Sequence, residues 1–242
     1  MAALSIPHAL VTGANRGLGL EWVRQLACRA ENLFATCRHP DEADALTRLA
    51  TRYPNTIDVF ALDVADSDAI RAAAERVRTE TRSLDLLVNN AGISGGGQRD
   101  RFAGVDQDTM MDVFRVNAVG PHLMAKAFAD LLRTSAADGE ARVVNLTSQL
   151  GSIANAQSDT WHSYRASKAA LNMCTRLQAA ALQDDGVIAV AMHPGWVRTD
   201  MGGSNARLST EESVASMLDV VGELTLNDTG RFLNYDGREL SW

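Results

Sequence analysis

The chain has 242 residues, of which 46% are hydrophobic, and it carries a net charge of -7. A chain of this length can bury most of its unfolded surface around one core, so we expect residues 1–242 to form a single domain. The acidic balance and the lack of a long Lys/Arg run argue against a nucleic-acid partner. No apolar run reaches the roughly 18 residues that a membrane span needs.

Three cysteines, Cys28, Cys37 and Cys174, are present. Their odd number and spacing predict neither a disulfide framework nor a metal site. The first residues contain no basic segment followed by a long apolar run, so no targeting segment is predicted. We therefore expect a cytoplasmic protein with a small-molecule partner and no membrane partner.

Short apolar runs alternate with longer amphipathic stretches, a pattern typical of βαβ units around a parallel sheet. Strands are predicted at Ala9–Thr12, Leu33–Cys37, Ile57–Leu62, Leu84–Val88, Arg142–Leu146, Val187–Met192 and Phe232–Asn234. Helices are predicted at Gly19–Arg29, Asp41–Arg52, Asp66–Arg82, Gln107–Leu132, Trp161–Gln183 and Thr210–Leu224. The pattern predicts an α/β fold of Rossmann type: doubly wound, with a seven-stranded, mainly parallel sheet and helices on both faces.

Start signals precede three of these helices. Asp66 and Asp106 are predicted as acidic caps, and Ser209 with Glu212 three residues later forms a capping-box pattern.

The first predicted strand runs directly into a glycine-rich turn and a helix. The turn reads Thr12-Gly13-Ala14-Asn15-Arg16-Gly17-Leu18-Gly19. In this context it predicts dinucleotide binding, because the N–H groups at the helix start face an anion. Gly13 allows the tight turn, Gly17 lets the backbone approach the pyrophosphate, and Gly19 lets the helix pack closely on the strand. An ordinary glycine-rich connection is the alternative.

The end of the second strand bears on cofactor choice. It reads Thr36-Cys37-Arg38-His39, without the acidic residue that would bind the ribose diol of NAD(H). Arg38 and Arg16 instead place positive charge where a 2'-phosphate would lie, which predicts NADP(H) over NAD(H). Asp41 and Glu42 follow closely and would soften this preference if either approached the same place.

Two further segments are unusual. Ser94–Gly97 is a Ser-Gly-Gly-Gly run that predicts a mobile loop, with structural and functional roles both open. In the long predicted helix, Pro121 cannot donate a backbone hydrogen bond, so we expect disturbed hydrogen bonding near Asn117.

Tyr164 and Lys168 lie one helical turn apart in the sequence Tyr164-Arg165-Ala166-Ser167-Lys168. A fixed ammonium at this distance favours the phenolate, so we expect a lowered pKa for Tyr164 and a role as general acid or base. The chain has only two lysines, Lys126 and Lys168, which favours this interpretation over an ordinary exposed pair.

More motifs follow in chain order: Asp63-Val64, Asn89-Asn90-Ala91-Gly92, Asn117, Ser148, Tyr164 with Lys168, and Pro194-Gly195. Together with the G-x-x-x-G-x-G turn they resemble the short-chain dehydrogenase/reductase family over nearly the whole chain. Within that family, the glycine-rich turn and the segment from His193 to Gly203 are most similar to sniffer-type carbonyl reductases and bacterial C-factor proteins.

The resemblance implies a catalytic set. Tyr164 would exchange a proton with the substrate, Ser148 would orient and stabilise its carbonyl oxygen, Lys168 would hold the ribose hydroxyls and lower the pKa of Tyr164, and Asn117 would hold a water that links Lys168 to solvent. Ser152 rivals Ser148, which stands sixteen residues before Tyr164, a few more than is usual in the family. Ser148 is preferred because it directly follows the predicted strand.

The resemblance also implies cofactor contacts. Asp63 would contact the adenine beside Val64, one asparagine of the Asn89-Asn90 pair would tie neighbouring strands, and Val197 and Thr199 would contact the carboxamide. The implied set is Gly13, Asn15, Arg16, Gly17, Leu18, Gly19, Arg38, Asp63, Val64, Asn89, Asn90, Ala91, Gly92, Tyr164, Lys168, Pro194, Gly195, Val197 and Thr199.

These observations predict an NADPH-dependent enzyme that reduces a ketone or aldehyde to an alcohol. Substrate choice would rest on the loops Gly95–Ala103, Gln149–Ser163 and Trp196–Leu208, with His162 at the rim and His193 packed at a strand end. Trp196 and Met201 could line an apolar pocket or merely pack.

The sequence also permits expectations about subunit assembly and about an alternative function. The helices Gln107–Leu132 and Trp161–Gln183 would pair subunits into a homodimer or homotetramer. The alternative function is an NADP(H)-binding signalling or sensing protein with little turnover. An epimerase or dehydratase of the same family fits less well, because such enzymes usually have longer chains.

Overall fold

The computed structural model describes residues 6–138 and 141–242. One sheet has the strand order β3-β2-β1-β4-β5-β6-β7, and every neighbouring pair is parallel. The strands are β1 (His8–Thr12), β2 (Asn32–Cys37), β3 (Ile57–Ala61), β4 (Leu86–Asn89), β5 (Ala141–Leu146), β6 (Val187–His193) and β7 (Phe232–Asn234). The predicted doubly wound fold is confirmed, with strand ends shifted by a residue or two. Since β1 is flanked by β2 and β4, the strand order reverses there, which is where ligands bind in such sheets.

Helices cover both faces of the sheet. They are α1 (Gly17–Leu26), α2 (Asp44–Arg52), α3 (Ser67–Glu80), α4 (Gln107–Phe114), α5 (Gly120–Ala127), α6 (Ala129–Asp138), α7 (His162–Leu182) and α8 (Thr210–Glu223). The three predicted caps are confirmed: Asp66 accepts from Asp68 N, Asp106 accepts from Thr109 N, and Ser209 and Glu212 bond reciprocally. Among the described residues, no helix is long and apolar enough to cross a bilayer.

Two apolar layers enclose the sheet, because successive strand residues point to opposite faces. On one side, Val11 and Val88 pack with Trp22 of α1 and Met217 of α8. On the other side, Leu10 and Leu87 pack with side chains from α3, α5, α6 and α7, including Ile70, Met124, Leu132 and Leu182. The strands are therefore mostly apolar, and most of their polar side chains, such as Thr12 of β1 and Asn145 of β5, lie at or near the strand ends.

The prediction of one continuous helix over Gln107–Leu132 is wrong. The helix passes through a π-helical segment at Arg115–Val119 before α5, and Phe128 separates α5 from α6, which continues to Asp138. Pro121 lies just inside α5 and lacks an N–H, so the backbone hydrogen bonding around Asn117 departs from the regular α pattern. That disturbance was predicted, and the resulting π segment carries Asn117.

Candidate active site

The glycine-rich turn connects β1 to α1 at the carboxyl end of the sheet. A Cβ on Gly13 would lie 2.9 Å from the Cα of Ala91, and a Cβ on Gly19 would overlap the carbonyl oxygen of Gly13. Arg16, the N-cap of α1, makes no side-chain capping hydrogen bond. The turn therefore packs closely on the loop after β4 and leaves the start of α1 without a side-chain cap, an arrangement that suits a bound anion.

The loop after β4 is tied to this turn by Asn90. Its Nδ2 donates to the carbonyl oxygens of Thr12 at 2.8 Å and of Gly13 at 3.0 Å. The Thr12 hydroxyl oxygen in turn accepts from the backbone N–H groups of Asn90 and Ala91. Thr12 was not among the predicted site residues, although its place directly before Gly13 was a usable signal.

Asn89 turns away from the glycine-rich turn. Its side chain is buried, and its Nδ2 donates to Asn145 Oδ1 of β5 at 2.9 Å. The expected strand-tying asparagine is therefore Asn89 for β4 and β5, while Asn90 joins β4 to β1.

Asp63 and Val64 follow β3 and lie opposite α5. The Asp63 Oδ1 accepts from Ala65 N at 2.9 Å, so this carboxylate shapes its own turn. Val64 is buried, and a Cβ on Gly120 of α5 would lie 2.5 Å from its carbonyl oxygen. Gly120 thus lets α5 approach this loop closely.

The two candidate phosphate-binding arginines differ in their surroundings. Arg38 is exposed and directly follows β2. Arg16 forms an ion pair with Asp200 at 2.8 Å, and both side chains are largely exposed. This pair connects the glycine-rich turn to the loop that follows Pro194.

The loop after β6 closes on itself and against the glycine-rich turn. The Trp196 indole donates to Gly202 O, and Gly202 N donates to the Thr199 hydroxyl. Val197 is buried, and the Thr199 methyl would lie 3.5 Å from a Cβ on Gly17. The structure thus brings Thr199 beside the turn, while Trp196 and Met201 remain exposed.

Pro194 and Gly195 fix the start of that loop. Pro194 O accepts from the Ser213 hydroxyl at 2.6 Å. Gly195 has φ +82°, a conformation that favours glycine, and a Cβ there would lie 2.5 Å from Leu208 Cδ1 and would displace that side chain. His193 beside it is buried, and burial lowers its pKa to about 4.

Tyr164, Ser148 and Lys168 meet where β5 ends against α7. All three are buried. The Ser148 hydroxyl lies close enough to the Tyr164 phenol to lower the pKa of that phenol, and the Ser148 Oγ accepts from Leu150 N at 3.1 Å. Lys168 Nζ donates to Leu146 O at 2.7 Å and lies 5.6 Å from the centroid of the Tyr164 ring.

The alternative serine, Ser152, has other partners. Its hydroxyl donates to Trp242 O at 3.3 Å and accepts from Asn155 Nδ2 at 2.9 Å. Ser148, directly after the strand, is thus the serine that contacts Tyr164.

Asn117 lies behind this group, with its side chain fully engaged. Its Oδ1 accepts from Ile93 N, and its Nδ2 donates to Ile93 O and to the Ser167 hydroxyl. Ser167 donates to Tyr164 O at 2.8 Å. Asn117 does not bond within its own turn; it joins the loop after β4 to α7.

Burial sets the protonation of the central pair. It raises the pKa of Tyr164 to about 12, against the smaller lowering effect of the hydrogen bond with Ser148. It lowers the pKa of Lys168 to about 7, because desolvation penalises the ammonium. The expected lowered pKa of Tyr164 is therefore wrong for this structure, because burial outweighs the effects that favour the phenolate: the site holds a protonated phenol next to an amine of near-neutral pKa.

Similarity to known proteins covers most of the chain. The family model for short chain dehydrogenases matches residues 7–208. The C-signal protein of Myxococcus xanthus is 41% identical over 162 residues, covering 67% of this chain and 95% of that protein.

Solved structures agree over nearly the full length. The NADPH-bound carbonyl reductase from chicken fatty liver is 39% identical, with a TM-score of 0.93 and coverage of 99% of this chain and 100% of its own. Carbonyl reductase Sniffer of D. melanogaster is 34% identical, with a TM-score of 0.93 and coverage of 98% and 100%.

Proposed function

Because the chain belongs to the short-chain dehydrogenase family and is similar to an NADPH-bound carbonyl reductase, we propose that it reduces a ketone or aldehyde to an alcohol with NADPH. The observation that carries the proposal is the buried contact between Ser148 and Tyr164 beside Lys168. Two hydroxyl groups at one point can both hydrogen-bond a carbonyl oxygen, and one of them can deliver a proton to it.

The residues present fit a dinucleotide. Gly13 and Gly19 shape a tight turn at the uncapped start of α1, which suits the pyrophosphate. A Cβ on Gly92 would lie 3.8 Å from Lys168 Nζ, so glycine there leaves space next to the amine. When bound, NADPH supplies the hydride that is added to the carbonyl carbon.

The chain's own residues supply the rest of the reaction. Tyr164, protonated at neutral pH, gives its proton to the carbonyl oxygen as that oxygen gains negative charge. Ser148 donates a hydrogen bond to the same oxygen and fixes its position. Lys168 holds the ribose hydroxyls and, when protonated, stabilises the phenolate that Tyr164 becomes. Asn117, by its hold on Ile93 and Ser167, keeps the loop and α7 in register.

The preference for NADPH over NADH belongs to the same proposal. Arg38 is exposed at the tip of β2, with no acidic residue there to bind a ribose diol. The NADPH bound to the similar chicken carbonyl reductase supports this choice. Arg16 forms an ion pair with Asp200, so this pair would have to separate before Arg16 could bind the 2'-phosphate of NADPH.

The test is NADPH oxidation by the purified protein with a panel of aldehydes, ketones, diketones and quinones, with Tyr164→Phe alongside. Removing the proton donor is expected to lower kcat by about 10²- to 10⁴-fold while NADPH still binds. A kcat near the wild-type value in Tyr164→Phe would remove Tyr164 from the mechanism.

A second candidate follows from the similarity to C-signal: a protein that binds NADP(H) as a signal and turns over little. Two results together would favour this signalling function: no turnover on any carbonyl, and tight NADPH binding that is the same in the wild type and in Tyr164→Phe. The buried Ser148–Tyr164 contact favours the reductase, because a binding protein has no need of a proton donor there.

A further inference from the structure

The helix that carries Tyr164 has no cap of its own. Trp161 is the N-cap of α7, and it makes no side-chain capping hydrogen bond. Its backbone is left-handed, with φ 63°, a strained conformation for a tryptophan. Tyr164 lies in the first helical turn, where uncapped helices fray.

A carboxylate from a distant loop takes the place of that cap. Asp100 Oδ2 accepts from Ser163 N at 2.6 Å, and Asp100 O accepts from His162 N at 3.2 Å. Asp100 is only 6% exposed, so its charge is held against the start of α7, where the helix dipole favours an anion. Two of the first N–H groups of α7 are thereby satisfied by a single residue from another segment.

The loop that carries Asp100 contains two glycines, Gly95 and Gly97, that let it pack closely against α4 and Trp161. Gly95 and Gly97 both have positive φ; a Cβ on Gly95 would lie 2.9 Å from Val113 Cγ2, and one on Gly97 would lie 3.5 Å from the Trp161 indole. The Ser94–Gly97 run is thus a packed bend. The Trp161 ring then meets the Tyr164 ring edge to face at 5.6 Å.

A second aspartate, Asp159, lies just before α7 and accepts hydrogen bonds from the segment that follows Asp100. Asp159 Oδ1 accepts from Phe102 N at 3.0 Å and contacts His162 Nε2 at 2.6 Å. Asp159 O accepts from Arg101 Nη1 at 3.2 Å. Asp100 therefore accepts a backbone N–H at the start of α7, and Asp159, just before α7, accepts a backbone N–H from the segment that follows Asp100.

We propose that Asp100 is a positioning residue for Tyr164: it caps α7 from a separate loop and so holds the phenol at the distance that proton transfer needs. This inference rests on the proposed function of Tyr164. It predicts that the carbonyl step, and not cofactor binding, depends on Asp100.

The experiment compares Asp100→Ala and Asp100→Asn with Asp66→Ala, which removes the cap of α3. Asp100→Ala is expected to lower kcat at saturating NADPH by about 10- to 100-fold with little change in the Kd for NADPH. Asparagine still accepts the Ser163 N–H, so Asp100→Asn is expected to recover most of the lost kcat. Asp66→Ala is expected to lower Tm while kcat stays near wild type. An Asp100→Ala enzyme with wild-type kcat would overturn the proposal.

If Asp100→Ala does not fold, Asp100→Glu takes its place, because one more methylene displaces the carboxylate from Ser163 N. A kcat of Asp100→Glu at or above that of Asp100→Asn then overturns the proposal.

Amide hydrogen exchange at Ser163 and Tyr164 gives a readout without substrate. Faster exchange in the folded Asp100 variant, but not in Asp66→Ala, supports the capping role even if the wild type reduces no carbonyl, an outcome that would sink only the reductase function. Unchanged exchange overturns the capping role.

Discussion

Tyr164 and Lys168 show how a neighbour's charge and burial compete for the same pKa. They lie one turn apart on α7, yet the Lys168 amine donates to the Leu146 carbonyl, and both groups are desolvated. Desolvation favours the neutral form of each, so the protein prepares a phenol that can donate. The sequence located the pair, whereas its protonation depends on how deeply β5 and α7 bury it.

The lowered pKa of Lys168 predicts that the free energy of unfolding depends on pH. Between about pH 7 and the ordinary lysine value of 10.5, the unfolded chain binds a proton at Lys168 that the folded chain does not. The free energy of unfolding should therefore rise with pH in this window, by at most about 1.4 kcal/mol per pH unit.

Lys168→Met removes this titration and keeps an apolar stem. Urea unfolding of both proteins from pH 7 to pH 9.5 should show the wild type gaining stability relative to the variant as pH rises. A constant difference would mean that Lys168 keeps its ordinary pKa.

Arg38 allows a test of cofactor choice at one exposed position. Arg38→Asp puts a carboxylate where the NADPH phosphate is expected and should lower the ratio of kcat/KM for NADPH to that for NADH on the order of 10- to 100-fold. Arg48→Asp, an exposed site on α2 with the same charge change, is the control. Equal effects of both variants would attribute the preference to overall charge.

At the scale of elements, Gly120 allows α5 to approach the loop after β3. A Cβ would meet Val64 O at 2.5 Å and Val64 Cβ at 3.1 Å, so neither partner can yield without backbone movement. Gly120→Ala should lower the free energy of unfolding by about 1–3 kcal/mol and weaken NADPH binding through Val64.

Gly104→Ala is the matched control, because an added Cβ there meets nothing within 4 Å. Denaturant unfolding and NADPH titration of both variants check the prediction. Similar losses in the two would indicate a general cost of replacing glycine.

At the scale of the whole molecule, exposed apolar side chains mark the proposed subunit contact. Met111 and Val119 precede α5, and Met173 and Leu177 lie on α7, each about half exposed or more. Such residues support the proposed homodimer or homotetramer through these helices. Met173→Glu should lower the mass found by light scattering at micromolar concentration, while Arg207→Glu, in an exposed loop, should not. A wild-type monomer would rule the assembly out.

The sequence by itself determined the doubly wound sheet, the helix caps and the segments that meet at the site. Hydrophobic periodicity, capping residues and turn glycines are local properties, and parallel strands bring their carboxyl ends to one edge. The tertiary structure decided the rest. The pKa values of Tyr164 and Lys168 and the capping of α7 by Asp100 arise from groups far apart in the chain. Burial and hydrogen bonding between such groups exist only once the loops and helices have packed against one another.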